Sequence, residues 1–180
     1  AAVLFESSLA GVALVLGGLS DDGPLATLRL DAADAGLGVL LTLPPCAFLA
    51  VFVRSSWAPL RAIREALDVA FVPLFRLATW DEIVALALVA GVSEEMLFRG
   101  WLQAALGTWT SPWVALAVAS IVFGLVHAVT RAYAVLAAVI GLYLGLTFLW
   151  TGNLLVPIVV HALYDAVALF VLLRRPAASP

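Results

Sequence analysis

Residues 132–150, AYAVLAAVIGLYLGLTFLW, carry no charged side chain. The run is as long as a helix must be to cross a hydrocarbon core, about 20 residues at ~1.5 Å each. Backbone N–H and C=O groups in lipid find no water, so such a run satisfies them internally as a helix. Five further apolar runs stand at roughly 2–19, 36–53, 82–106, 112–129 and 154–173. The third and fourth lack the period-two alternation of a barrel strand. The expected fold is therefore all-α: a polytopic transmembrane bundle of about six spans, forming a single membrane-embedded domain over residues 1–180.

Composition agrees. Of 180 residues, 64% are hydrophobic and 12% charged, with a mean hydropathy of +1.13. A soluble domain averages about 45–50% apolar and about 25% charged residues. No soluble fold hides so much apolar surface, so lipid is the solvent for most of it. The net charge of -3 argues against a nucleic-acid partner. The lone Cys46 excludes an internal disulfide and any multi-cysteine metal site, and reads as a packing residue. Segment 1–19 lacks a basic leader region and contains Glu6, so it reads as a span rather than a cleaved signal.

The connections set the orientation. Segment 20–35 carries Asp21, Asp22, Asp31 and Asp34 against Arg29, with a Gly23-Pro24 turn signal. Segment 54–79 carries Arg54, Arg61, Arg64 and Arg76. Within it, Leu60, Ile63, Leu67, Ala70, Phe71 and Leu74 recur at helical spacing, with Arg61, Arg64, Glu65 and Asp68 mostly elsewhere on the wheel. This predicts an amphipathic helix on the membrane surface, interrupted at Pro73. The positive-inside rule places 54–79, Arg131 and Arg174-Arg175 in the cytoplasm, which accounts for seven of the nine Arg. The expectation is a multi-pass protein of the cell membrane with both termini cytoplasmic. Trp57, Trp80, Trp109, Trp113 and Trp150 fall near predicted span ends, where aromatic belts form. The tail 176–180 is expected to be disordered.

A charge at the centre of a spanning helix costs at least about 2.5–3.5 kcal/mol and by default marks function. Glu94, Glu95, Arg99, His127, His161 and Asp165 all fall inside predicted spans, and the two His are the only ones in the chain. Glu95 and Arg99, at i and i+4, meet on one face and can neutralise each other. Glu94 is turned about 100° away and has no partner on its own helix. A carboxylate so placed can act as general base or acid near neutral pH. Phe123 and His127 stand at i and i+4, beside Gly124, which lets a neighbouring helix approach. His161 and Asp165 also share a face, and the carboxylate can fix the imidazole tautomer. The bland reading, polar pairs that join helices, is favoured for Glu95 and Arg99. Chemistry is favoured for Glu94, and for the two imidazoles because of the company they keep.

These three patterns, Glu94-Glu95-x-x-x-Arg99, Phe123-x-x-x-His127 and His161-x-x-x-Asp165, in this order on three spans, resemble the motifs of the CAAX-protease and bacteriocin-processing (CPBP, or Abi) family. Its best-known members are the type II CAAX prenyl endopeptidases. The resemblance covers about 80–173, and Gly100, Asn153 and Pro157 also sit where that family has similar residues. It implies an intramembrane endopeptidase acting on a peptide or lipid-anchored protein, without a cofactor. Glu94 would polarise the attacking water, and His127 would hold that water or move its proton. His161 and Asp165 would stabilise the oxyanion, while Glu95, Arg99 and Phe123 support the site. One departure is Asp165, where prenyl endopeptidases typically carry Asn; an ionised Asp cannot donate to an oxyanion.

Other readings compete. Glu94, His127, His161 and Asp165 also make a plausible zinc shell, although no HExxH helix is present. A non-catalytic scaffold or immunity protein would retain the motifs without hydrolysis. A transporter or proton relay would use the same buried groups, but no repeated halves are evident. Counting from the predicted span ends places Glu94 and His161 in the outer half of the bilayer and His127 nearer the inner surface. Convergence of these groups is therefore the decisive expectation.

Overall fold

A computed structural model describes residues 2–20 and 23–174. Asp21, Asp22 and Arg175, which entered the charge pattern, lie outside the described residues, as does the tail 176–180. The described chain forms α1 (Ala2–Ser20), α2 (Ala32–Leu41), α3 (Leu43–Arg54), α4 (Ala58–Ala70), α5 (Val72–Phe75), α6 (Trp80–Glu95), a π-helical segment (Met96–Gln103), α7 (Ala104–Trp109), α8 (Pro112–Val126), α9 (Arg131–Thr151) and α10 (Leu155–Arg174). All six apolar runs are helical, and no strand occurs among the described residues. Ala2–Ser20, Ala32–Arg54, Arg131–Thr151 and Leu155–Arg174 are each long and apolar enough to cross a membrane. The shorter α8 is also apolar, and α6, the π segment and α7 follow without a break. The protein is a helical membrane bundle.

Local chemistry explains where the rods depart from simple spans. The second run breaks at Thr42, whose hydroxyl donates back to Gly38 O at 2.9 Å. Pro44 and Pro45 then occupy the first turn of α3, where their missing N–H groups are not needed. The surface helix has the expected form: α4 buries Ile63 and Leu67 and stops just before Pro73, which falls in the first turn of α5. Arg64 ties α4 to the end of α3 by donating to Phe52 O at 2.5 Å and Ser55 O at 2.6 Å. Two boundaries differ from the sequence reading. The fourth span ends at Val126 rather than 129, and His127 is its C-terminal cap. The third span turns π-helical directly after Glu95, which hydropathy alone does not reveal.

The centre of the bundle is α6, flanked by α1, α10 and, through the π segment, α8. α6 and α10 run antiparallel. Trp80 meets Phe170 with 4.1 Å between ring centroids, and Arg174 lies over both rings. Further along, a Cβ on Gly91 would stand 2.9 Å from Ala162 N. Gly124 does the same between α8 and α9, where a Cβ would lie 2.5 Å from Ala134 O. Small residues at such crossings let helices touch in a membrane. Gly91→Leu should therefore push α10 off α6 and cost about 1–3 kcal/mol by overpacking. Thermal unfolding in detergent micelles should show a lowered midpoint; an unchanged midpoint would contradict the close α6–α10 contact.

Asn153, wholly buried, ties the loop before α2 to the start of α10. Its side chain accepts from Arg29 N at 2.9 Å and from Leu155 N at 3.1 Å. It donates to Arg29 O at 2.9 Å and to Asp34 Oδ2 at 2.7 Å. The α9–α10 turn that presents it needs Gly152 at φ 58°, a left-handed conformation that glycine adopts without strain.

Candidate active site

Glu94 and Glu95 end α6 and, one helical step apart, face different neighbours. Glu94 turns toward the C-terminal cap of α8, where His127 Nε2 stands 3.4 Å from Glu94 Oε2. This is an ion-pair distance rather than an aligned hydrogen bond, since Glu94 Oε2 has no hydrogen-bond partner among the described residues. Glu95 turns toward α10. Its Oε1 receives Arg99 Nη1 at 2.8 Å and faces His161 Nδ1 at 2.7 Å. Arg99 also donates from Nη2 to Gly141 O at 2.7 Å. Gln103, four residues on, donates to Gly145 O at 3.2 Å. The π segment thus docks two polar side chains on α9 carbonyls at the glycines of a GxxxG stripe, a close-approach pattern. π segments inside helices often mark functional sites.

The two imidazoles are held differently. His127 Nδ1 lies 2.8 Å from Phe123 O, so that nitrogen carries the hydrogen and Nε2 is the one turned to Glu94. The Phe123 ring stacks on His127 with 4.3 Å between centroids. It packs edge-on against Phe98 at 5.0 Å and receives the Arg99 guanidinium at 4.8 Å in a cation–π contact. His161 has a carboxylate at each nitrogen, with Asp165 Oδ2 3.4 Å from Nε2. The ring can donate to both only when it carries two protons. The sequence suggested Asp165 as the group that orients His161; Glu95 makes the shorter contact, and no motif spacing announces that pairing.

The depths counted from the span ends do not keep Glu94 and His127 apart, because α6–π–α7 and α8 form an antiparallel hairpin. Glu94 and His127 stand at nearly equal chain distances from its turn at Thr110-Ser111. The short α8 stops where His127 must cross to Glu94.

Glu94, His127, His161 and Asp165 all line one cavity of about 250 Å³. Its walls are otherwise mostly apolar, from Leu49, Phe52, Leu67, Tyr133, Leu136 and Tyr164 among others. Glu95 and Arg99 do not line it and are essentially inaccessible at 0% and 1% exposure. Glu6 of α1 does line it, and sequence reasoning missed it as a site residue. The signal was present, an acid inside a predicted span, but Glu6 was weighed only against a leader peptide. Among the described residues no three His, Cys, Asp or Glu side chains converge as metal ligands. Glu95 Oε1 stands 2.7 Å from His161 Nδ1 and Asp165 Oδ2 3.4 Å from its Nε2, so the suggested zinc shell is not preformed among the described residues.

Fold and cavity together describe a polytopic helical membrane protein with acids and imidazoles gathered at an internal pocket. Residues 76–167 match the family described as type II CAAX prenyl endopeptidase Rce1-like. The match takes in all three motifs, and the chain belongs to this family. It is also similar to the uncharacterized protein YpbD of Bacillus subtilis (strain 168), with 36% identity over 97 residues, 52% of this chain and 47% of YpbD. The chain thus spans about half the length of that curated relative. No solved structure matches it.

Proposed function

We propose that the protein is an intramembrane endopeptidase that hydrolyses a peptide bond of a membrane-associated peptide or protein with a water activated by Glu94. The observation that carries this reading is the Glu94–His127 pair, 3.4 Å apart on the wall of the cavity, in a chain of this family. A water at that pair gives one proton to Glu94 while its oxygen bonds to the scissile carbonyl carbon. His127, with Nδ1 committed to Phe123 O, presents Nε2 to steer the water and relay the proton. As the tetrahedral intermediate collapses, the C–N bond breaks and that proton goes to the leaving nitrogen. His161, its Nδ1 side anchored on Glu95, offers Nε2–H to the developing oxyanion, with Asp165 giving up its 3.4 Å approach to that nitrogen as the substrate enters. Asp165 orients and charges that ring, which gives an Asp a use where Asn is the family's habit. The supporting pair Glu95–Arg99 holds the catalytic helix in place. The protein sits in the cell membrane, with the Arg-rich 54–79 connection and both termini in the cytoplasm.

The test is cleavage of a quenched-fluorescent peptide by the full chain in proteoliposomes. His127→Ala should lower kcat by about 10²–10⁴-fold, the usual worth of a positioned acid–base group. Chelators should leave wild-type turnover intact. Full turnover in His127→Ala would favour the scaffold reading, and loss of turnover to a chelator would overturn the water-only mechanism.

A further inference from the structure

Glu6 is an acid that the mechanism above does not use. On α1, Leu4 and Phe5 face outward at 76% and 65% exposure, while the face that holds Glu6 continues through Ala13 and Gly17, both buried against the bundle. Glu6 therefore points inward and lines the same cavity as Glu94, His127, His161 and Asp165, close enough to interact electrostatically with all four. The other two acids there each stand 3.4 Å from an imidazole, Glu94 from His127 and Asp165 from His161. Glu6 Oε2 is buried and has no hydrogen-bond partner among the described residues. No Arg lines the cavity among the described residues, and the chain contains no Lys. Glu6 as a whole is half-buried, and an unpaired carboxylate on an apolar helix long enough to span a membrane is costly and by default functional. Glu6 also lies outside the 76–167 match.

We propose that Glu6 is a specificity-determining residue that receives a cationic group of the peptide substrate, a Lys or Arg side chain or a free amino group, beside the catalytic pair. The inference rests on the peptidase reading for its substrate class, but its charge logic stands on the cavity alone. Three carboxylates against two imidazoles leave the pocket short of positive charge, and the incoming peptide supplies it. Such a contact rewards the matching peptide and leaves a half-buried acid unpaired with any other, the asymmetry from which discrimination arises.

The probe is a set of fluorescent hexapeptides that differ only in Lys, norleucine or Glu at each position in turn. The protein is the full chain in phosphatidylcholine nanodiscs. Binding is read by anisotropy in the inert Glu94→Gln background, and hydrolysis in the otherwise native protein. At one position, Lys should outperform norleucine by about tenfold or more in both readouts. Glu6→Gln should bring that ratio near unity, Glu6→Asp should retain part of it, and Glu6→Arg should turn the preference toward Glu. A ratio that is the same with and without the acid overturns the proposal, even if Glu94-dependent hydrolysis proceeds. Glu6-dependent binding without hydrolysis of any peptide upholds Glu6 and sinks the peptidase reading instead.

Discussion

Glu94→Gln should reduce peptide hydrolysis by about 10²–10⁴-fold while the protein folds and inserts as before. The replacement keeps the shape of the side chain and its ability to hydrogen-bond, but an amide cannot take a proton from water. Folding should not suffer, because the Glu94 side chain is only 8% exposed and meets His127 at 3.4 Å without an aligned hydrogen bond. Removing a charge so poorly compensated removes its desolvation cost as well. Single-turnover cleavage in proteoliposomes and the unfolding midpoint in micelles should therefore separate, with the first collapsing and the second steady or raised. Full activity in this variant would refute the role given to Glu94. Loss of folding alongside loss of activity would make Glu94 a structural residue like its neighbour.

Much of this site was readable before any coordinates, because burying charge in lipid is costly enough to confine it to purposeful places. Glu94, His127, His161 and Asp165 stood out for that reason alone, and they do line one cavity. The i, i+4 spacing of Glu95 and Arg99 foretold their 2.8 Å contact. The pairings between helices were not legible. Spacing rules work within one helix, whereas Glu94–His127 and Glu95–His161 depend on hairpin register and on the π segment that follows Glu95. Hydropathy measures how apolar a stretch is, not how tightly it winds, so neither the π segment nor the early stop of α8 at Val126 left a trace in the apolar runs. Glu6 shows a further blind spot. Its neighbours in sequence face outward, and only the packing of α1 against α6 turns it toward the site.

Arg99→Ala should be the most destabilising single change in the bundle, costing about 3–5 kcal/mol. Arg99 is 1% exposed beside a Glu95 that is 0% exposed. It spends its guanidinium on Glu95 Oε1 at 2.8 Å and Gly141 O at 2.7 Å and covers Phe123 at 4.8 Å. Truncation strands a buried carboxylate with His161 alone, unpairs an α9 carbonyl and opens a void under the ring that stacks on His127. Arg99→Lys keeps the charge but not the fork, so it should recover only part of the loss. The double replacement Glu95→Leu with Arg99→Met then separates structure from chemistry. Exchanging a buried ion pair for apolar side chains of similar volume is often neutral or stabilising, so the folded yield should return close to that of the native chain. Turnover should not return, because His161 Nδ1 loses the acceptor that holds it at 2.7 Å, and an imidazole free to rotate no longer presents Nε2 to the oxyanion. A double variant that folds and cleaves at the native rate would show that Glu95 serves the fold alone. One that folds but turns over about 10²-fold more slowly, the order of loss when an oxyanion donor is removed, would show the same carboxylate at work in both.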